Sequence, residues 1–243
     1  MRISFKIMAA LVVAFCLGQV QAQAQEEFQG LYQKLQVMAE GGDAEAQYHV
    51  GMFLNNGIGT ERNFKQAFAW FETSAQAGNA LAAYKVGCYL DGQWGPIVTL
   101  DKDKALAFKL EAAQRGYALA QQDVGIMYMQ RQMPDEARRW WLAAGQQGLA
   151  SPLYNLSVSY LQGQGEAIDR VRGYAFFKLS KLLSEKRING QAQASLDTIR
   201  QTMSDDQVQV AEKMVEDWRV ERTPLTLEAS QGLQRARALV SGR

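Results

Sequence analysis

The chain repeats itself, and the register of that repetition restricts its fold more than any other feature. Four segments begin with an alanine seven residues before a small residue: Ala44 with Gly51, Ala80 with Gly87, Ala118 with Gly125, and Ala150 with Ser157. The residue just before the small one is always aliphatic (Val50, Val86, Val124, Leu156). A second small residue follows at Ala67, Ala105, Ala137 and Gly173, with a large aromatic three positions later at Trp70, Phe108, Trp140 and Phe176. Eleven positions beyond the second small residue stand Gly78, Gly116 and Gly148, and Ser184 in the last copy. The copies start 36, 38 and 32 residues apart, and the variation lies between the two small residues. Length that varies in one place while both flanks keep register marks a loop between two fixed elements.

Those elements read as helices. Residues 44–54 and 67–77 carry apolar or small side chains at three- and four-residue steps and contain no proline. The glycines that follow the second elements suit left-handed helix termination. Glycine inside a helix costs about 1 kcal/mol relative to alanine, so its recurrence in register predicts close helix–helix approach. The aromatic three residues after each second small position is expected to fill the space that results. Trp70, Trp140 and Phe176 are therefore predicted to be core.

At these residues the chain resembles the Sel-one-like repeat family, relatives of the tetratricopeptide repeat. The first copy reads Ala44, Val50-Gly51, Gly57-Ile58-Gly59, Asn63, Ala67, Trp70, Ala75, Gly78; the second, Val86-Gly87, Asp101, Ala105, Phe108, Ala112-Ala113, Gly116. The fourth has Leu156-Ser157, Tyr160, Gly163-Gln164-Gly165, Asp169, Tyr174 and Phe176. The third lacks the Gly-x-Gly loop, and Pro134-Asp135-Glu136 opens its second helix directly, with proline and acids suited to a first helical turn. The resemblance implies an all-α, right-handed α-solenoid of about four helix-turn-helix repeats with N- and C-terminal capping helices. The repeats are placed at 44–79, 80–117, 118–149 and 150–184.

The flanks fit that frame. Residues 25–43 hold Leu31, Leu35 and Met38 leading into Ala39 and Gly42, a lone capping helix. Residues 185–221 supply C-terminal capping helices. Ala194, Leu196 and Ile199 belong to one of them, and Ser204-Asp205-Asp206-Gln207 is a capping-box start for another that reaches Trp218. Its apolar stripe is read as Val208, Val210, Ala211, Met214, Val215 and Trp218. Thr223-Pro224 breaks the pattern, and 222–243 reads as a weakly helical, slightly basic tail, a mobile end with a docking peptide as the alternative.

Residues 1–24 read as a secretory signal: Arg2 and Lys6, then an apolar run from Ile7 to Gly18, then Ala22-Gln23-Ala24, with cleavage expected after Ala24. A run of about a dozen residues is short for a membrane span, which needs ~20. The predicted location is therefore exported, in the periplasm. Beyond that segment Cys88 is the only cysteine, so no internal disulfide is available. It reads as a small buried hydrophobe. With 26 basic and 25 acidic residues the chain carries no basic footprint for nucleic acid.

Chemistry-bearing groups are sparse. His49 is the single histidine and shares its repeat column with Lys85, Asp123 and Asn155, polar residues that place it on the surface. No second histidine or cysteine cluster is present to bind a metal, and no catalytic residue or cofactor is predicted. The Gly-x-Gly pairs recur at a repeat position without a following lysine and read as inter-helix turns. Asp101/Asp103 and Asp205/Asp206 fall at helix starts, where capping explains them. Two aromatics are candidate partner contacts: Trp94, in the long second loop, and Trp141, whose column holds Lys109 and so predicts partial exposure. Local packing is the competing reading for both. The function expected is a protein- or peptide-binding scaffold or regulator without catalysis. An envelope-glycan or peptidoglycan binder and a hydrolase of unknown type are the alternatives. Cysteine-rich relatives associated with β-lactam hydrolysis carry paired cysteines that this chain lacks.

Overall fold

The computed structural model describes residues 5–185 and 190–242, with side chains over 23–184 and 190–242. The side chains of the apolar run that reads as a signal lie outside the described residues. Thirteen helices and no strand are present among the described residues. They are α1 (Phe5–Glu40), α2 (Ala44–Asn56), α3 (Phe64–Gln76), α4 (Ala80–Leu90), α5 (Lys102–Gln114), α6 (Ala118–Gln130), α7 (Pro134–Gln146), α8 (Ala150–Gln162), α9 (Arg170–Glu185), α10 (Gly190–Arg200), α11 (Asp205–Glu216), α12 (Pro224–Ser230) and α13 (Gly232–Ser241). Among the described residues no helix is long and apolar enough to cross a membrane.

Helix ends follow the local sequence. Asp43, Asn79 and Asp101 sit in extended backbone and accept from the N–H three residues on, at Ala46 (2.8 Å), Ala82 (3.0 Å) and Lys104 (2.9 Å). Ser204 and Gln207 form the reciprocal capping box. Proline opens α7, with Asp135 and Glu136 in its first turn. The turns that close α3, α5 and α7 contain Gly78, Gly116 and Gly148 at φ 89°, 92° and 93°, the left-handed conformation that only glycine adopts without strain.

The helices divide into two compact units. One contains the chain up to Thr99 together with the segment from Gln231; the other spans Leu100–Ser230. The boundary falls in the long loop of the second repeat. In the first unit, α1, α2, α3 and α4 pack in chain order and α13 lies against α1 and α2. In the second, α5 to α9 pack in chain order and α11 lies on α9.

The predicted close approach is present, with the aromatic one position later than expected. A Cβ at Gly51 would stand 2.6 Å from the Phe71 ring, and one at Gly125 would stand 2.4 Å from the Trp141 ring. The glycines thus make room for the residue four after Ala67 and Ala137, whereas Trp70, Phe108 and Trp140 are only half-buried. Four residues advance a helix by about 400°, so residue i+4 lies nearer the face of residue i than i+3 does. Phe176 does enter the core, in a cluster with Trp141, Leu153, Leu156 and Tyr160. Trp141 is 4 % exposed, which corrects its expected exposure. Lys109 in the same column is also buried, with its Nζ 3.0 Å from Asp123 Oδ2.

Two further expectations change. Val210 is 55 % exposed, because it lies off the face of α11 that buries Val208 and Ala211. The tail is ordered into α12 and α13. Ala236 is fully buried, and Arg235 donates to Glu45 Oε1 through Nε at 3.0 Å.

Candidate functional site

The second unit contains an open cavity of about 870 Å³ bounded by the end of α7, by α11 and by the irregular segment that follows α11. Its apolar lining includes Ala143, Val210, Met214 and Trp218, and its polar lining includes Gln146 and Gln147. Trp218 is positioned by α11, which is fastened to α9: Tyr174 Oη donates to Glu212 Oε1 at 2.8 Å and Lys178 Nζ to Glu212 Oε2 at 2.5 Å. Burial opposes ionisation of Glu212, but these two donors outweigh it and lower its pKa. Burial and the same carboxylate push the Tyr174 phenol up to about 12. The Trp218 ring meets Phe176 edge-on at 6.1 Å.

Beyond Trp218 the backbone runs without regular structure to Thr223 and then enters α12. This strap lies against the helix ends of the second unit. Glu221 N–H donates to Gln146 O at 2.9 Å, and Thr223 N–H donates to Gln147 Oε1 at 3.1 Å. The hydroxyl of Thr223 lies 2.8 Å from Gly116 O. Thr226 Oγ1 accepts from Ala118 N–H at 3.0 Å. Gln147 is held for this role, because its Nε2 donates to Gly116 O and to Gln121 Oε1, both at 2.8 Å. A Cβ at Gly116 would stand 2.8 Å from Thr223 Cγ2, so this glycine is required by contact as well as by φ.

The reason for the strap is local. Asp43 and Asn79 cap α2 and α4, but the equivalent residues before α6 and α8 are Tyr117 and Leu149, which make no side-chain cap. A helix start leaves N–H groups without intrahelical partners. For α6, Thr226 satisfies one of them from 108 residues away.

The singled-out residues do not converge. Trp94 is half-buried in the first unit, its ring 4.6 Å from Tyr89, with Lys85 Nζ 5.5 Å from its centroid. Burial holds the Lys85 ammonium below its ordinary pKa and pushes the Tyr89 phenol up to about 12. Trp141 is a core side chain and offers no surface to a partner. His49, expected on the surface, is 4 % exposed, because the helical tail packs against α2. Burial, then the positive charge of Arg235, lowers its pKa to about 4, with Asp43 opposing. Its Nε2 has no hydrogen-bond partner, and the nearest carboxylate oxygen, of Glu45, is 3.7 Å away.

One buried ionic group of the second unit holds a turn in place. Arg138 is buried, donates to Ser159 Oγ, Gln164 O and Asp135, and lies 5.4 Å from the Tyr160 ring. It ties the Gly163-Gln164-Gly165 turn to α7. Among the described residues no three His, Cys, Asp or Glu side chains are grouped to hold a metal ion.

The capped helix pairs, their register and their close-packed small residues define an all-α solenoid of short helix-hairpin repeats, a scaffold fold. The chain belongs to the Sel1 repeat family, whose repeat matches residues 44–79, 80–117, 118–149 and 153–183, more than half of the sequence. Among solved structures it is similar to a Sel1 repeat protein from Oxalobacter formigenes, at 26% identity and a TM-score of 0.56. That match covers 68% of this chain and 48% of the other, so the chain spans about half the length of that relative. It is also similar to c5321, described as a protective antigen of uropathogenic Escherichia coli displaying an SLR fold (19% identity, TM-score 0.31, 83% of this chain and 58% of that one). A third similar structure is the immunity protein Pa5087 from Pseudomonas aeruginosa (14% identity, TM-score 0.42, 80% and 76%). No curated protein matches the sequence.

Proposed function

We propose that the chain is an exported, non-catalytic scaffold that binds a protein or peptide in the periplasm through its Sel1 repeats. The observation that carries this reading is the open cavity of the second unit. Ala143, Met214 and Trp218 offer it an apolar wall, while the exposed Gln146 offers an amide that can read a peptide backbone. Sel1-type repeats generally mediate protein–protein contacts, which favours a polypeptide occupant. Trp94, half-buried on Tyr89, is the proposed contact of the first unit.

The test is a pull-down from an envelope extract with the chain starting at Gln25. One defined protein should be retained, and retention should fall severalfold with Met214→Asp at the cavity wall and with Trp94→Ala. Retention of sacculi or oligosaccharides alone would replace this reading with a glycan-binding one. Turnover of a test substrate that disappears on changing a single carboxylate would overturn the non-catalytic assignment.

A further inference from the structure

The segment Arg219–Thr226 is held as a bound peptide would be. It approaches the repeats without regular structure up to Thr223 and then enters the first turn of α12, and the repeat groups that meet it are mostly ones any polypeptide could use: Gln146 O, Gly116 O, Ala118 N–H and the Gln147 amide. The side chains that add selectivity are few. Val220 Cγ1 would stand 2.9 Å from a Cβ at Gly148, so an apolar side chain lies against that turn. Thr223 and Thr226 place hydroxyls three residues apart over Gly116 and Ala118.

The hold is shallow. Val220 remains 44 % exposed, Leu227 likewise, and α12 buries no residue. An element with only part-buried hydrogen bonds and little buried apolar area opens locally at a free-energy cost below that of global unfolding. Beside it the cavity stays open, with strap residues Arg219, Glu221 and Thr223 forming one wall.

We propose that the helix-end surface of the second unit, made by Gln146, Gln147, Gly116 and Ala118, is a peptide-binding site occupied in this structure by the chain's own Arg219–Thr226. The partner is a peptide with an apolar residue followed three and six positions later by hydroxyl residues on one helical turn, the pattern of Val220, Thr223 and Thr226. The strap is thus a built-in competitor. Tethered ligands act at effective concentrations on the order of millimolar, so an outside peptide engages only when it outcompetes that local supply. The inference rests on the peptide-binding reading above and assigns it a site, a ligand pattern and a form of regulation.

The experiment uses the full chain and a fluorescent synthetic peptide spanning 219–230, with a scrambled peptide as control. The Thr223→Ala/Thr226→Ala variant should bind the peptide about tenfold or more tightly than the wild type, because its own strap competes less well; the scrambled peptide should bind neither. A variant that melts cooperatively with unchanged far-ultraviolet circular dichroism and yet binds no better overturns the proposal. Native-state hydrogen exchange on the wild type gives a second, mutation-free readout. The Ala118 and Thr223 amides should exchange together through an opening well below global unfolding. Exchange of both only at the global limit would make the strap an integral part of the core and overturn the proposal equally. The two readings fail separately: a partner retained in the pull-down without peptide binding removes the strap site alone, and peptide binding without a retained protein leaves the strap site standing.

Discussion

Phe71 and Trp141 show how one helical position decides between core and surface. Each lies against a glycine of the preceding helix, and each has a neighbour, Trp70 or Trp140, that remains half-exposed. His49 is the residue whose environment is least evident from its column. It is buried neutral, with a pKa near 4 against an ordinary 6.5. A histidine whose folded pKa is depressed binds fewer protons when folded than when unfolded between those values. Its contribution to stability is complete above pH 6.5 and is lost progressively as pH falls toward 4. Linkage over that window makes the loss between pH 7 and pH 5 about 2 kcal/mol. Urea unfolding at the two pH values should show it, with His49→Gln losing correspondingly less over the same interval. Parallel losses for both proteins would show that His49 does not titrate as its burial requires.

At the scale of the element, helix starts behave in two ways. α2, α4, α5 and α11 carry their own caps in Asp43, Asn79, Asp101 and Ser204, of which Asp101 and Ser204 are read as caps from the sequence. α6 does not, and Thr226 stands in. A cap side chain contributes about 1 kcal/mol, so Thr226→Val should lower stability by about that amount, comparable to Asn79→Ala. Chemical denaturation of the three proteins checks this. Equal stability of Thr226→Val and wild type would mean that solvent satisfies Ala118 as well as the strap does. The capping box of α11 and the proline start of α7 were legible because a few adjacent residues suffice to form them. The strap's cap was not, since it joins residues 108 positions apart through a hydroxyl that has no local signature.

For the whole molecule, Cys88 offers a probe of stability. It is fully buried in α4 of the first unit and forms no disulfide. Its reaction with an alkylating reagent should therefore require opening of that unit. Labelling should be slow in buffer and rise with urea along the unfolding curve of the first unit, with no change in the unfolding midpoint on adding thiol reductant. Rapid labelling in buffer would show that α4 is less well covered than its packing implies.

The helical class, four repeats, their register, the terminal glycines and some helix caps follow from the sequence alone, because each depends on residues within a turn or on a pattern repeated in register. The tertiary structure decided which of two adjacent aromatics enters the core, where His49 lies, and that the tail folds back as α12 and α13. It also decided where a cavity opens beside Trp218. Those outcomes depend on side chains distant in sequence meeting in space. Arg235 on Glu45, Thr226 on Ala118 and Val220 at Gly148 are contacts whose energy exists only once the helices are packed.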